Sequence, residues 1–273
     1  MYLLFDVGGT KMRFAVSKDG KTVGDPKIIP TPRDFNEGVM AFKRMAEELV
    51  DGMKLDAVAG GLPGPFDSGK TMIMNAPNLP EWNGKPLKEE LEKTLGAPVF
   101  FENDAALAGL GEAIYGSGRG KHIVVYMTIS TGVGGVRIIN GKVDENVLGF
   151  EPGSQFIDYK ENLTLEDMIS GASIEKKYMK KPYEMTDPNF WDEMAKLLAY
   201  GINNTIVHWS PHIVVLGGSM MKEVGISIDR VKFHLKEIPC IFKQLPIIEK
   251  ALFGDSSAHY GALSLIKNRP VSG

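Results

Sequence analysis

The stretch Leu3–Val16, LLFDVGGTKMRFAV, decides the fold. An apolar strand reaches Asp6, a glycine turn follows, and a second run with apolar residues at alternate positions leads away from the turn. Glycine lets the backbone approach an anion closely and adopt positive φ, and successive N–H groups in such a turn form an anion-binding nest. The GxxxxGK[ST] spacing is absent and a strand follows, which excludes a Walker A loop and a dinucleotide-binding fingerprint. The stretch alone therefore indicates either a phosphate-holding hairpin or a plain hairpin.

Composition and charge exclude several classes of protein. The 273 residues are enough for two domains, and 43% hydrophobic with 24% charged residues is typical of a soluble globular protein. A net charge of −3 gives no basic surface for nucleic acid or an anionic membrane. Cys240 is the only cysteine, which excludes an internal disulfide framework and a thiolate zinc cluster. With neither a signal peptide nor a membrane-spanning run in the sequence, we expect a cytoplasmic protein.

The first half of the chain predicts the order βββ-α-β-α-β-α. A glycine and proline cluster, Gly60–Pro65, is predicted to be a loop at the end of a strand. The predicted strands after the opening pair are Thr22–Ile29, Leu55–Ala59 and Val99–Phe101, and the predicted helices are Phe35–Val50, Pro86–Leu95 and Ala105–Tyr115.

The second half repeats the opening pattern. In YMTISTGVGGVRII, a strand over His122–Ile129 leads into a glycine turn, Ser130–Gly135, and a return strand, Val136–Ile139. Strand, turn and strand follow each other as in the first stretch, which indicates a duplication. Later elements are a capping box at Thr164 and Asp167, helices from Asp187 to about His208, near Met220–Leu235 and over Ser256–Ile266, and strands at Ile213–Leu216 and Ile247–Leu252.

Four stretches together carry a resemblance to a known family: DVGGTK, then APNLP with VFFENDAALAGLGEA, then ISTGVGG, then VVLGGSM. In this order they resemble the ROK family of sugar kinases, in the actin-like ATPase superfamily. The resemblance covers nearly the whole chain and implies a ribonuclease-H-like fold with two duplicated α/β domains, with mixed sheets around a central cleft. The smaller domain would be residues 1–112, completed by the helix of residues 256–273, and the larger would be residues 113–255. Some members are repressors with an N-terminal DNA-binding extension. This chain opens directly on the first phosphate strand, so we expect a kinase.

The resemblance assigns the chemistry first to Asp104. It implies that this carboxylate is the general base for the attacking sugar hydroxyl, and that Asn103 hydrogen-bonds the sugar. Local sequence alone favours a simpler interpretation, in which either residue caps the helix that follows. Asp6 resembles the carboxylate that orients Mg²⁺, through water. Its alternative is a solvated acid at a strand end.

The nucleotide residues follow from the same resemblance. The turn that begins at Gly8 and a facing turn from the second domain would hold phosphates, and a third glycine pair would border the adenosine. A plain strand-to-helix turn is the alternative for that third pair. The residues are Gly8, Gly9, Thr10 and Lys11, then Thr131, Gly132 and Gly134, then Gly217 and Gly218.

The sugar side departs from the family pattern. The family carries an ExGH segment, in which Glu151 and Gly153 match here but Ser154 stands in the place of the histidine. The cysteine-rich zinc motif of the family is also absent, so no zinc is expected. Gln155 is expected to compensate for the histidine as donor and acceptor. Glu166 matches a further family glutamate that binds the sugar, with a solvated helix acid as its alternative, and Gly64 and Asn78 are expected at the rim of the sugar pocket.

The sequence thus predicts an ATP- and Mg²⁺-dependent kinase whose two domains close over a sugar and a nucleotide, with the 6-hydroxyl of glucose or a related hexose as acceptor. Fructose, mannose, N-acetylmannosamine or N-acetylglucosamine as substrate, and polyphosphate as donor, stay open. A regulator that binds sugar or nucleotide without turnover is an alternative of another class, and a filament-forming actin relative is disfavoured by the short chain. A homodimer is left open.

Overall fold

The structure is a computed structural model that describes residues 1–144 and 149–267. The chain divides into two units: the first comprises residues 1–111 with the C-terminal segment from Ser256, and the second is Glu112–Asp255. The last six residues of the segment 256–273, which was predicted to complete the smaller domain, lie outside the described residues.

The first unit contains a five-stranded mixed sheet with the order β3-β2-β1-β4-β5. The pairs β1–β2 and β2–β3 are antiparallel, and the pairs β1–β4 and β4–β5 are parallel. Its strands are β1 (Tyr2–Val7), β2 (Lys11–Ser17), β3 (Lys27–Pro30), β4 (Ala57–Leu62) and β5 (Val99–Asn103), and its helices are α1 (Phe35–Val50), α2 (Leu87–Leu95), most of α3 (Asp104–Ile114) and α8 (Ser257–Lys267).

The core of the first unit is aromatic. Phe42 of α1 packs edge-on against Phe5 and Phe14, with ring centroids 4.9 and 5.0 Å away. Such T-shaped pairs stabilise a core by about 0.5–1.5 kcal/mol beyond area burial. The helix α8 packs against β1 and β4. This packing fixes the ends of β1 and β5, where the predicted catalytic residues lie.

The second unit repeats the sheet. Its order is β12-β11-β6-β7-β8, with β6–β7 and β7–β8 antiparallel and β6–β11 and β11–β12 parallel. The predicted duplication is therefore present in the strand order. The strands are β6 (Ile123–Ile129), β7 (Val133–Ile139), β8 (Lys142–Val143), β11 (Ile213–Gly217) and β12 (Ile247–Lys250), with a separate pair β9 (Phe156–Asp158) and β10 (Leu163–Thr164).

The helices of the second unit cover an apolar core. They are α4 (Leu165–Ile169), α5 (Gly171–Tyr178), α6 (Pro188–Trp209) and α7 (Ile228–Glu237). The helix α6 begins after an Asp187 cap and buries a stripe that includes Leu198 and Ile202. The predicted capping box is present: the Thr164 hydroxyl accepts from the Asp167 N–H, and the Asp167 carboxylate accepts from the Thr164 N–H.

Several predicted boundaries are wrong because glycines that the pattern assigns to turns lie inside strands. Gly60 and Gly61 lie inside β4. Close packing explains the glycine at position 60, because a Cβ there would lie 2.2 Å from the Phe5 carbonyl oxygen. Gly134 and Gly135 likewise lie inside β7, and a Cβ at Gly135 would lie 2.7 Å from Pro152 Cγ. These glycines permit close packing within a strand. The loop after β4 therefore begins later than predicted, and the glycine turn before β7 ends earlier.

Two other elements start later than predicted. The third strand is Lys27–Pro30, not Thr22–Ile29. The last helix before β12 starts at Ile228, because a short 3₁₀ turn at Ser219–Met221 is followed by a reversal in which the Ile226 N–H donates to the Met220 carbonyl at 2.7 Å.

Candidate active site

The first glycine turn, Gly8–Lys11, joins β1 and β2 and is held by hydrogen bonds at its base. The Gly8 N–H donates to the Lys11 carbonyl at 2.9 Å, and the Thr31 N–H donates to the Thr10 carbonyl at 3.1 Å. The Thr31 hydroxyl donates to the Gly8 carbonyl at 2.7 Å. Gly9, Thr10 and Lys11 are exposed. Thr31 thus holds the turn through its carbonyl oxygens. The N–H groups at the exposed tip can then face an anion.

The reason for glycine in this turn differs from the one predicted. Neither Gly8 nor Gly9 has positive φ. At Gly9 the constraint is steric, because a Cβ there would lie 2.5 Å from the Cβ of Asn78. Asn78, predicted at the rim of the sugar pocket, thus packs against the first glycine turn. Gly64, predicted at the same rim, has a φ of 89°, and a Cβ there would lie 2.8 Å from the Asn75 carbonyl oxygen.

Asp6 ends β1 beside the first glycine turn and is paired with Arg13. Arg13 Nη1 lies 3.1 Å from Asp6 Oδ2, and the two residues are register partners across β1 and β2. Sequence reasoning missed Arg13, although the hairpin register about the glycine turn was enough to place it opposite Asp6. The pair gives Asp6 a fixed orientation and reduces its net negative charge.

Asp104 lies across Gly61 from Asp6. A Cβ at Gly61 would lie 3.1 Å from Asp104 Cα and 3.4 Å from Asp6 Oδ1, so glycine is what lets both acids approach this point of β4. Burial of Asp104, and next the negative charge of Asp6, raises the pKa of the Asp104 carboxyl to about 6. The Ala105 N–H donates to Asp104 Oδ1 at 2.8 Å and opposes part of this rise in pKa. The structure therefore brings two predicted functional acids together in the first unit.

Asn103 caps α3, as its local sequence predicted. The Ala106 N–H donates to Asn103 Oδ1 at 3.2 Å, which is the usual bond of an N-cap residue. The cap uses the amide oxygen and leaves the amide nitrogen as a donor for a ligand. Capping and sugar binding are therefore compatible at this residue.

The second glycine turn, Ser130–Gly132, joins β6 and β7 and is shorter than predicted. The Ser130 N–H donates to the Gly132 carbonyl at 2.8 Å. The first residues of α5 hold its other carbonyls, since Gly171 donates to Ser130 at 2.7 Å and Ala172 donates to Thr131 at 3.1 Å. Gly134, predicted as a phosphate-binding residue of this turn, is paired with Thr128 within the β6–β7 ladder. Thr131 and Gly132 are thus the predicted residues that lie in the turn itself.

Glu166 contacts the second glycine turn directly. The Val133 N–H donates to Glu166 Oε2 at 2.6 Å, and a Cβ at Gly132 would lie 2.7 Å from the same oxygen. The carboxylate is exposed, as the alternative prediction of a solvated helix acid requires, but it also bonds the backbone beside this turn. No local sequence pattern indicates this contact, because it joins residues more than thirty positions apart.

The segment that replaces the family's ExGH motif is only partly exposed. Glu151 precedes a 3₁₀ turn, Pro152–Ser154, and both Glu151 and Ser154 are exposed. Gln155 was expected to compensate for the missing histidine as donor and acceptor, but its amide nitrogen donates to the Pro152 carbonyl at 2.7 Å and to the Gly201 carbonyl at 3.3 Å. Its amide oxygen is buried and has no hydrogen-bond partner among the described residues. Gln155 therefore joins this segment to α6, and its donor is used inside the unit.

Gly217 ends β11 beside the second glycine turn, and Gly218 follows it. A Cβ at Gly217 would lie 2.3 Å from the Tyr126 hydroxyl, and a Cβ at Gly218, whose φ is 95°, would lie 2.2 Å from the Ile129 carbonyl oxygen. The next residue, Ser219, shares a 3.0 Å hydrogen bond with Ser130 through their hydroxyls. A cavity of about 620 Å³ opens here, lined by Tyr183, Ser219, Lys222, Glu223, Val224 and Lys250.

Two features are absent from the part of the chain that the structure describes: a metal-binding cluster of side chains and a membrane-spanning helix. Among residues 1–144 and 149–267, no group of three or more His, Cys, Asp or Glu side chains is arranged to hold a metal ion. No helix in those ranges is both long and apolar enough to cross a membrane. The expected lack of zinc stays a prediction.

The family of the chain follows from its similarity to known proteins. The model of the ROK family matches residues 2–269. The chain belongs to the ROK family. A glucokinase of Thermotoga maritima is 26% identical, over 97% of this chain and 96% of the relative. An N-acetyl-D-glucosamine kinase of Shigella flexneri is 28% identical, over 97% of this chain and 99% of the relative.

A solved structure agrees with these relatives. The ROK hexokinase from Thermus thermophilus superposes with a TM-score of 0.77 at 26% identity, covering 98% of this chain and 99% of that one. The predicted family, the actin-like ATPase fold and the enzyme class, a phosphotransferase that acts on a sugar hydroxyl, are confirmed. The relatives are named for different sugars, glucose in one and N-acetyl-D-glucosamine in the other, so the comparisons show a sugar kinase and not a particular sugar.

Proposed function

We propose that this ROK protein is an ATP- and Mg²⁺-dependent hexose kinase, which transfers the γ-phosphate to the 6-hydroxyl of glucose or of a related hexose. The observation that carries the proposal is the position of Asp6 and Asp104 on either side of Gly61, beside the first glycine turn. The relatives named glucokinase and N-acetyl-D-glucosamine kinase support a hexose as acceptor.

Asp104 is the general base of this proposal. Phosphoryl transfer needs little covalent chemistry from a protein, but it needs a carboxylate aimed at the attacking hydroxyl. A base works best when its pKa is near the operating pH, and the pKa of about 6 that burial and Asp6 give to Asp104 meets this condition. At neutral pH the carboxylate is ionised and can accept the hydroxyl proton. We assign the amide nitrogen of Asn103, one residue before Asp104, to a sugar hydroxyl.

The first unit also contributes a phosphate-binding turn and a carboxylate for the metal. We assign the N–H groups of Gly9 and Thr10 and the Lys11 side chain to the phosphates of ATP. The donor set fits Mg²⁺, which prefers oxygen ligands and keeps several waters when it accompanies substrate phosphates. Asp6 would hold the ion through water, because Arg13 already occupies one carboxylate oxygen. The ion would offset phosphate charge.

The second unit contributes the other nucleotide residues. We assign Thr131 and Gly132 to the phosphates. We place the nucleoside in the cavity beside Gly218 and Ser219, where the Tyr183 ring offers a stacking surface. Gly218 has positive φ and no side chain, which leaves room for the nucleoside beside the backbone. Glu151 and Glu166 are assigned to sugar hydroxyls. Ser154 offers a short hydroxyl in the place of an imidazole, which leaves fewer fixed polar partners and therefore weaker discrimination between sugars.

Asp104→Asn tests this assignment, because asparagine keeps the shape and the helix-start hydrogen bond but cannot take a proton. We expect turnover with glucose and ATP to fall at least ~10²-fold, the usual contribution of a general base. Sugar affinity, measured by calorimetry, should stay within about twofold. Asp34→Asn is the matched control, since Asp34 caps α1 in the same unit and asparagine caps a helix as well as aspartate does. Near-normal turnover in Asp104→Asn would remove Asp104 from the reaction.

A further inference from the structure

The backbone N–H that directly follows the second glycine turn is already bonded to an acid. The Val133 N–H donates to Glu166 Oε2 at 2.6 Å, which is short for an N–H···O bond and typical of a charged acceptor. The same oxygen lies over Gly132, where a Cβ would come within 2.7 Å of it. The carboxylate therefore covers the part of the turn that we assigned to a phosphate.

The position of Glu166 is fixed by its own helix. Glu166 lies in the first turn of α4, which the capping box of Thr164 and Asp167 holds in place. The turn is fixed as well, because Gly171 and Ala172 donate to two of its carbonyls. The Glu166 side chain itself is exposed, so it is the element of this arrangement that can move at low cost.

A carboxylate and a phosphate cannot both use this N–H. Two anions close together repel, and the repulsion grows as a ligand displaces water from around them. In the first glycine turn the corresponding neighbours are Thr31 and Asn78, which are uncharged. The two turns therefore differ in the side chains that contact their backbone, which are uncharged at the first turn and a carboxylate at the second.

We propose that Glu166 is a positioning residue that makes nucleotide binding depend on the sugar. Without sugar, its carboxylate bonds the Val133 N–H and opposes phosphate binding at the second glycine turn. A sugar hydroxyl that donates to Glu166 draws the carboxylate off this N–H, which then donates to a phosphate oxygen. The inference rests on the proposed function, because it uses the assignment of Glu166 to the sugar and of the turn to ATP.

The arrangement has a thermodynamic consequence that can be measured. If the sugar raises the affinity for nucleotide by some factor, the nucleotide must raise the affinity for sugar by the same factor. Couplings of this kind are 5- to 150-fold in typical cases, and we expect roughly tenfold here. Hydrolysis of ATP without sugar would be suppressed for the same reason.

The experiment measures the Kd of Mg²⁺ with a non-hydrolysable ATP analogue by calorimetry, without sugar and with saturating sugar. Glucose is used first, and the best acceptor of the wild-type protein replaces it if that is another hexose. The variants are Glu166→Gln, which keeps the shape and removes the charge, and Glu166→Ala, which frees the N–H. Glu161→Gln is the matched control, since Glu161 is exposed in the same unit. Thermal unfolding checks that each variant is folded.

For the wild type and the control we expect sugar to lower the nucleotide Kd roughly tenfold. For both Glu166 variants we expect the tighter Kd already without sugar, with the sugar dependence lost. If Glu166 is only a brace, Glu166→Ala binds nucleotide more weakly and Glu166→Gln behaves as the wild type. If it is only a sugar ligand, the variants lose sugar affinity while the sugar-free nucleotide Kd stays unchanged. Either result overturns the inference.

Failure of the proposed function is seen separately. A wild-type protein that phosphorylates no hexose removes the proposed function and this inference with it. A wild-type protein that phosphorylates a hexose but shows the same nucleotide Kd with and without sugar overturns the inference alone. If Glu166→Ala does not fold, Glu166→Gln decides the question by itself.

Discussion

The two units build the same sheet and support it in different ways. The orders β3-β2-β1-β4-β5 and β8-β7-β6-β11-β12 match strand for strand, including which pairs are antiparallel. The glycine turn of the first unit is braced by the uncharged Thr31 and Asn78, and that of the second unit by the carboxylate of Glu166. A duplicated fold therefore leaves the chemistry of each half free to diverge at the residues that contact the turn.

The same contrast holds for the buried polar groups. The second unit buries Glu112, which accepts N–H bonds from Ser117, Leu252 and Phe253 at 2.9–3.1 Å. The first unit buries His259, whose Nε2 lies 3.4 Å from the Arg13 carbonyl and whose Nδ1 has no hydrogen-bond partner among the described residues. One group is fully bonded and the other is not, so we expect their replacement to have different consequences.

The largest effect is expected for Glu112→Gln. A glutamine amide has one acceptor oxygen instead of two, so at least one of the three N–H groups loses its acceptor and meets an NH₂ group instead. The cost should be about 3 kcal/mol of the free energy of unfolding, since each hydrogen bond to a charged group contributes about 1.5–3 kcal/mol. Urea unfolding followed by tryptophan fluorescence measures it, because Trp191 and Trp209 lie in the second unit. Glu237→Gln, an exposed position on α7, should change little. A loss under 1 kcal/mol in Glu112→Gln would contradict this reasoning.

The first unit should lose stability in acid because of His259. Burial lowers the pKa of His259 from 6.5 to about 4. Between these values the unfolded chain binds a proton that the folded chain does not, so stability falls as the pH drops from 6.5 towards 4. The full loss is about 3 kcal/mol, at about 1.4 kcal/mol for each unit of pKa. His259→Gln should be less sensitive to pH over this window, while the exposed His122→Gln should behave as the wild type. Equal sensitivity in all three proteins would refute the assignment.

The smallest effect separates the two glycines of the first turn. A Cβ at Gly9 would lie 2.5 Å from Asn78 Cβ, whereas a Cβ at Gly8 would have 3.6 Å to its nearest neighbour. Gly9→Ala should therefore displace the turn and lower kcat/KM for ATP roughly tenfold, about 1.4 kcal/mol, and Gly8→Ala should lower it less. Adding Asn78→Gly to Gly9→Ala should restore part of the loss, because it removes the Cβ that the new methyl group meets. Equal losses in both alanine variants would show that the contact with Asn78 is unimportant.

Much of this architecture was predictable from periodicity and from the ordered motifs. Helix α1 has the predicted limits, Phe35–Val50, because its apolar spacing and its flanking breakers agree. The opening meander and its repetition followed from alternating apolar residues around two glycine turns. Such local patterns need no knowledge of distant neighbours.

The failures share a physical cause. A glycine can mark a turn or a close packing contact, and only the distant partner tells which: Phe5 at Gly60 and Pro152 at Gly135. The partners of Gln155 and Glu166 are likewise distant backbone groups, which no local pattern encodes. The roles of Asp104 and Asp6 were implied by the family resemblance, while their approach at Gly61 and the rise of the pKa of Asp104 required the structure.

The central claim is that this ROK protein phosphorylates a hexose with ATP. The most direct measurement is ADP release in the presence of Mg²⁺ against a panel of glucose, fructose, mannose, N-acetylglucosamine and N-acetylmannosamine, with mass spectrometry of the sugar product and a separate run with polyphosphate as donor. We expect ADP and a hexose phosphate in equal amounts with at least one sugar, glucose first among them. ADP release that no sugar increases, or a hexose phosphate formed from polyphosphate and never from ATP, would contradict the account.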